Sequence, residues 1–349
     1  MSEQAFWQKY WKLVLNLVTI LALVGLVWGT HKQVADSFAN LAHVHGWLLL
    51  TLLPIELLNY HAQTKLYQGM FKIVGNDLPY KKLFRASLEL NFVNHVFPSG
   101  GAAGISYFTL RLRSAEITGA KATLIHVMKL ALTFLSFEIL ILFGMVSLAV
   151  MGHVSNITVM VATSISTLLL VCTMLFAYVV GSKQRINSFF GAVTRGLNRL
   201  IRLVFRKVDE PINIEKARTV FDEFHENYQV LRKDLRRLNG PFWWGLVCNA
   251  TEVAAVYMVY VAFGHAVNVG AVIMSYAVAN FAGLVSVLPG GVGIYEALMT
   301  AVMATAGVSP GITLPVVVMY RVVNTLIQVP VGYVLYHMYL RGGGKPVNE

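Results

Sequence analysis

Two cationic side chains, Lys129 and Arg321, stand inside apolar stretches, and each follows a proline–glycine break. The first break reads NHVFPSGGAAGISY around Pro98, and the second reads SVLPGGVGIYE around Pro289. Lys129 lies 31 positions after Pro98 (129 − 98), and Arg321 lies 32 after Pro289 (321 − 289). Proline and clustered glycine end a helix where they fall. Inside a bilayer such an end strands backbone N–H and C=O groups, which is tolerated only where that backbone is buried in protein or lines a cavity. A helix that restarts after the break offers unpaired N–H groups and the positive end of its dipole, which together favour an anion. Ser99 can cap the first restarted helix, and Gly100, Gly101, Gly104, Gly290, Gly291 and Gly293 let backbone approach a ligand closely. Arg321 can hold a phosphate through two bonds, whereas Lys129 acts as a point charge. The expected ligand is a phosphate-bearing headgroup. The competing use of the same glycines is tight helix packing.

Further ionisable residues fall in the same stretches. Glu56 and Glu252 precede the two breaks, Glu296 sits in the first turn after the second, and Glu138 lies mid-helix. Charges at membrane depth mark function, but they also pair simply to neutralise one another, as Glu296 and Arg321 could. Asn91, Asn94, His95, Asn280, Asn324 and Gln328 add polar groups nearby. His95 has a ring that could titrate in a proton-coupled step, although a satisfied structural histidine is the plainer reading. Cys172 and Cys248 lie in apolar runs, which argues against a zinc site or disulfide framework. No metal, cofactor or nucleotide-binding motif is expected.

The elements that must position these residues are membrane helices. The chain is 56% hydrophobic and 13% charged, with mean hydropathy +0.61. Apolar runs predict six spans near 10–29, 46–63, 122–151, 157–180, 241–263 and 313–340, and re-entrant hairpins at 86–110 and 272–306. The second Pro/Gly region can also be read as two short spans. Lys and Arg number five in 65–85, three in 111–121 and thirteen in 181–240, and are missing from 152–156, 264–271 and 307–312. That asymmetry places the basic segments and both termini in the cytosol. Each half then reads span, span, hairpin, span, so the second copy is inverted. The expected fold is an all-α polytopic membrane protein: 1–180 holds the first repeat and the first span of the second, 181–240 is a cytosolic linker, and 241–349 completes the second repeat. Lys9 and Lys12 before the run Leu13 to Trp28 read as an uncleaved signal anchor. The 349 residues leave no stretch for a separate catalytic domain.

The linker carries much of the +11 net charge, which suits anionic lipid rather than nucleic acid. Ile186, Phe189, Val193, Leu197, Leu200 and Val204 share one helical face, opposite Arg195, Arg199, Arg202 and Arg206. Asp209-Glu210-Pro211 interrupts it. A second stripe follows, made by Phe221, Phe224, Tyr228, Leu231, Leu235 and Leu238.

FPSGGAAGISYFTLRLR, the in-span cation, and VLPGGVGIYEALMTAVMATAGVSPGITLPVVVMYRVVN together resemble the membrane domain of the lysylphosphatidylglycerol synthase/flippase-like family of bacteria and archaea. The likeness covers nearly the whole chain and is strongest in the last 80 residues. In the first half Ala102 and Ala103 stand where arginine and glutamate are usual, and the in-span cation is lysine. The resemblance implies a flippase-like protein of the cell membrane that translocates an anionic phospholipid or polyprenyl-phosphate-linked lipid, rather than a lysyl transferase. The alternatives are an integral-membrane lipid or lipid-linked sugar transferase, with Glu56, Glu252 or Glu296 as acid or base, and a scaffold for a partner synthase or glycosyltransferase.

Overall fold

The computed structural model describes residues 44–97, 102–113, 117–150, 156–204, 214–285 and 293–341. These residues form helices and short connections, with no strand among them. After a single turn at Gly46–Leu49 come α1 (Leu52–Ile73), α2 (Tyr80–Val96), α3 (Ala102–Leu112) and α4 (Gly119–Val150). Next are α5 (Asn156–Val180), α6 (Lys183–Val204), α7 (Ile214–Lys233) and a 3₁₀ turn at Leu235–Leu238. The last four are α8 (Asn239–Ala262), α9 (Val269–Val285), α10 (Ile294–Thr305) and α11 (Pro310–Arg341). The expected span 10–29 with its anchor, the interruption at Asp209–Pro211, and Ser99, Gly100, Gly101, Gly290 and Gly291 lie outside the described residues.

Polarity along α1 runs opposite to that of a soluble helix. Glu56, Asn59 and Gln63 are buried at 2%, 2% and 7% exposure, while Leu53 and Leu57 on the outside are 52% and 61% exposed. An outward apolar face with polar groups turned inward fits a lipid solvent. Among the described residues, three helical stretches are long and apolar enough to cross a membrane: Gly119–Val150, Leu235–Ala262 and Pro310–Arg341. The predicted span 46–63 falls mostly within α1, where inward polar residues lower the hydropathy. Helix α11 contains Pro315 and Pro330, which neighbouring helices let a membrane helix tolerate.

Both Pro/Gly regions separate a pair of helices whose arms pack on one another, α2 on α3 and α9 on α10. The centre of the bundle is the crossing of α1 and α8. Around it α2 packs on α11, and α9 packs on α4. Glycine brings the backbones together at both of these outer crossings. A Cβ on Gly332 of α11 would fall 2.4 Å from Phe92 Cβ and 2.8 Å from Leu88 O of α2. A Cβ on Gly270 of α9 would fall 2.2 Å from Gly144 O of α4.

The 181–240 segment docks on the bundle. Phe224, Tyr228 and Leu231 of α7 join Ile186 of α6 in a core with Phe71, Leu112, Ile117 and Ile125. Leu238 is buried with them, but Leu235 is 65% exposed, because the change to 3₁₀ geometry turns it off the stripe. Polar contacts fix the same interface. Thr118 Oγ1 donates to Glu223, Asn187 Nδ2 to Asp222 Oδ1 at 2.9 Å, and His225 Nδ1 lies 2.7 Å from Val180 O. Ser166–Val180 and Lys183–Phe189 meet at 111°. Helix α6 therefore leaves α5 nearly at a right angle, with Arg195 and Arg199 exposed.

Candidate functional site

Helix α10 restarts after the second break with Gly293 as its N-cap, at φ 88°, in the left-handed region where a Cβ is strained. Glu296, three residues on, reaches back and accepts the Gly293 N–H at 2.7 Å, the reciprocal half of a capping box. Its other carboxylate oxygen accepts Arg321 Nη1 at 2.5 Å. The side chains of Arg321 and Glu296 are 17% and 5% exposed. The Arg321 guanidinium lies 5.1 Å from the Tyr295 ring centroid, a cation–π distance. Glu296 thus pairs with Arg321, the neutralising arrangement that the sequence left open beside a bound phosphate, and it also accepts from the helix N-terminus.

At the first break His95 Nδ1 lies 2.9 Å from Asn91 O, the bond of a structurally satisfied ring. His95 nevertheless sits in the electrostatic field of Arg321, so residues flanking the two breaks come near each other. Asn94 is exposed, and its Oδ1 occupies the space a Cβ on Gly104 would take, at 1.9 Å. Gly104 thus serves packing of the hairpin arms rather than approach to a ligand. Lys129 forms no ion pair with a carboxylate among the described residues, but it lies in electrostatic reach of Cys248 and Glu252 on α8. Glu138 faces Ser166 of α5, away from either break. Asn280 is exposed, its amide 3.4 Å from the Tyr276 hydroxyl.

Glu56, Glu252, Asn324 and Gln328 join in a separate hydrogen-bonded chain across α1, α8 and α11. Gln328 Nε2 donates to Glu56 Oε2 at 3.0 Å and to Asn324 Oδ1 at 2.9 Å. Asn324 Nδ2 lies 3.4 Å from the Tyr320 hydroxyl, which donates to Glu252 Oε2 at 2.8 Å. Asn59 Nδ2 completes the run, 3.3 Å from Glu252 Oε1 and 3.0 Å from Cys248 O. Asn59, Gln63 and Tyr320 were not singled out from sequence. A polar stripe at 56, 59 and 63, spaced three and four apart on an apolar helix, was the available signal.

A second cluster missed in the sequence reading ties the first hairpin together. Glu89 of α2, with 0% side-chain exposure, accepts Arg111 Nε of α3 at 2.6 Å, Arg85 Nε at 3.0 Å and the Tyr107 hydroxyl at 2.7 Å. Arg111 also stacks 4.5 Å from the Tyr339 ring of α11. Glu89 stands inside the expected hairpin 86–110, and a carboxylate within that apolar stretch was the available signal.

The match to known proteins agrees with this helical membrane architecture. The family model described as lysylphosphatidylglycerol synthase TM region matches residues 13–332. The chain belongs to this family. A UPF0104 membrane protein of Methanothermobacter thermautotrophicus is 22% identical over 316 residues, covering 89% of this chain and 90% of that protein. A second UPF0104 membrane protein, from Pyrococcus horikoshii, is 21% identical over 252 residues, covering 70% of this chain and 72% of its own. The family's name carries the membrane portion of a lipid synthase, and both archaeal relatives are named membrane proteins.

Proposed function

We propose that this protein is a flippase-like carrier that binds the phosphate of an anionic lipid headgroup at the second break and assists its passage between leaflets. The observation that carries the reading is the Glu296 carboxylate held jointly by the Gly293 N–H and Arg321. A carboxylate so placed is a reversible plug: when it swings away, the same donors receive phosphate oxygens. Acyl chains stay in lipid while the headgroup exchanges hydration for these donors. The candidate lipids are an anionic phospholipid or a polyprenyl-phosphate-linked one, and the family name points to lipid chemistry.

The accompanying architecture is six spans and two hairpins in inverted repeats, in the cell membrane with both termini cytosolic. Support comes from the packing. Exchange of α1 with α8, α2 with α9, α3 with α10 and α4 with α11 maps the α2–α11 contact onto α9–α4, and α3–α4 onto α10–α11. It maps the central α1–α8 crossing onto itself. Two units related in this way can rock about the shared crossing to alternate access.

The test uses purified protein in vesicles containing phosphatidylglycerol, reading lipid retention and the movement of a fluorescent analogue. Arg321→Gln is expected to fold and to lose both activities, and adding Glu296→Gln should not restore them. Gly291→Val should show the same loss. Wild-type lipid handling by a well-folded Arg321→Gln protein refutes the assignment.

A further inference from the structure

The polar chain linking Glu56 to Glu252 is not used by the Arg321 site, and its charges do not balance. Glu56 lies in the field of Glu252, so two carboxylates share one buried compartment at the α1–α8 crossing. The groups facing them are Tyr60 on α1, Lys129 on α4, Cys248 on α8, Tyr276 on α9, Tyr295 on α10 and Tyr320 on α11. Lys129 is the cation among them, and Arg321 is already bound to Glu296. Among the described residues, two carboxylates against one ammonium leave one negative charge in an apolar interior.

A second observation says what neutralises it. Gln328 is 3% exposed, and its Oε1 is buried with no hydrogen-bond donor. The amide cannot be turned to hide this, because its nitrogen is committed to two acceptors, Glu56 Oε2 and Asn324 Oδ1. The amide that holds Glu56 Oε2 therefore carries an unpaired acceptor, which an O–H on a protonated Glu56 would satisfy. Gln63, one hydrogen bond removed from Glu252 through Asn59, also carries an unpaired acceptor. Its Nε2 donates to Asn59 Oδ1 at 2.7 Å, and its Oε1 is buried without a donor.

We infer that Glu56 and Glu252 hold one exchangeable proton between them, and that this proton is the coupling ion of the transport cycle. The step is a simple equilibrium in which carboxylate plus a proton from either aqueous side gives carboxylic acid, with no electron transfer. Each carboxylate lies in the other's field, which disfavours ionisation of both as a pair, and a proton taken up from water by either one relieves this. The coupling half of the inference rests on the flippase reading. A lipid phosphate entering beside Arg321 adds a negative charge, and a bound proton nearby offsets it, so the two ligands favour each other's binding.

The experiment is an infrared difference titration of the full-length protein in phosphatidylethanolamine–phosphatidylglycerol bilayers, following the carboxylic acid C=O band. Wild type is expected to show a buried, pH-sensitive carboxyl band that is lost or displaced in Glu56→Gln and in Glu252→Gln, and retained in Arg321→Gln. A band absent throughout the titration, or surviving both glutamine variants unchanged, overturns the proton site. Bleaching of the band by sodium but not by potassium also overturns it, in favour of a metal cation. In vesicles, an imposed proton gradient should speed movement of the fluorescent phosphatidylglycerol several-fold in wild type and leave Glu56→Gln unaffected. Equal gradient sensitivity in Glu56→Gln overturns the coupling. If wild type moves no anionic lipid while the band is intact, the flippase reading falls and the proton site stands.

Discussion

The Glu89 cluster gives the sharpest energetic forecast. Glu89 is wholly buried, and its two oxygens take three charge-assisted or hydroxyl bonds. Arg111 is nearly as buried, at 8% side-chain exposure, whereas Arg85 is 37% exposed. Breaking a buried pair by removing one partner costs about 3–5 kcal/mol, because the other charge is left without compensation. Arg85 stays beside Glu89 after Arg111 is gone, which pulls the expected cost of Arg111→Gln to about 3 kcal/mol, the lower end of that range. Arg85→Gln should cost only about 0–1 kcal/mol, since its contact is screened by solvent. The charge-balanced double variant Glu89→Gln/Arg111→Gln should recover much of the loss, giving a coupling of about 1–3 kcal/mol between the two positions.

The assay is reversible unfolding in mixed micelles of rising denaturing detergent, followed by tryptophan fluorescence, on wild type, the single variants Arg85→Gln, Arg111→Gln and Glu89→Gln, and the double. The order Arg85→Gln above Arg111→Gln in stability, with partial recovery in the double, is the expected result. Equal, small losses for the two arginines would refute the view that the hairpin is clamped by a desolvated ion pair. So would additive losses in the double variant.

Three further outcomes follow from other parts of the molecule. Gly332→Ala places a methyl 2.4 Å from Phe92 Cβ and should cost about 1–3 kcal/mol, whereas Gly196→Ala, in open space on α6, should gain about 0.5–1 kcal/mol in the same unfolding assay. Cysteines introduced in 264–271 and 307–312 should label from outside intact cells, and those in 185–235 only after permeabilisation; outward labelling of the 185–235 segment sinks the inverted arrangement. A peptide of residues 183–204 should bind anionic vesicles and release at high salt, each exposed arginine contributing about 1 kcal/mol near the surface, and equal binding to neutral vesicles would remove the electrostatic contribution.

The helices and the places where they break were legible because proline, glycine and long apolar runs act locally. The helices on either side of each Pro/Gly stretch pack on one another, and the all-helical class follows from hydropathy alone. The docking of 181–240 was half legible. The stripe through Phe224, Tyr228 and Leu231 is visible in periodicity, but its partner surface on α1, α3 and α4 is not, since that depends on tertiary contact. Individual ionisable residues were legible as anomalies, but their pairing was not. Glu296 and Arg321 were one stated option, whereas Glu89 with Arg111 went unseen because the two stand on different arms of the first hairpin, 22 positions apart. The chain from Glu56 to Glu252 passes through Asn59, Tyr320, Asn324 and Gln328, residues whose polarity matters only once three helices bring them together.

The two halves also treat their breaks differently, and the difference has a physical consequence. Glu296 follows Pro289 by seven positions (296 − 289), and seven positions after Pro98 stands Ile105. The first restarted helix therefore has no carboxylate of its own at that register, and its cation, Lys129, faces Glu252 across the bundle instead of a local partner. The second break holds a matched pair. On the proposed reading an incoming phosphate must open that pair, and the charge it adds is offset by the proton on the Glu56–Glu252 carboxylates. Lys129 works on the other ledger: it sets the charge of the Glu56–Glu252 compartment and so decides whether that compartment needs one proton or two. Lys129→Gln should then leave the Arg321 site's lipid retention intact and enlarge the carboxyl band. Lost lipid retention with an unchanged band would instead make Lys129 a second headgroup contact.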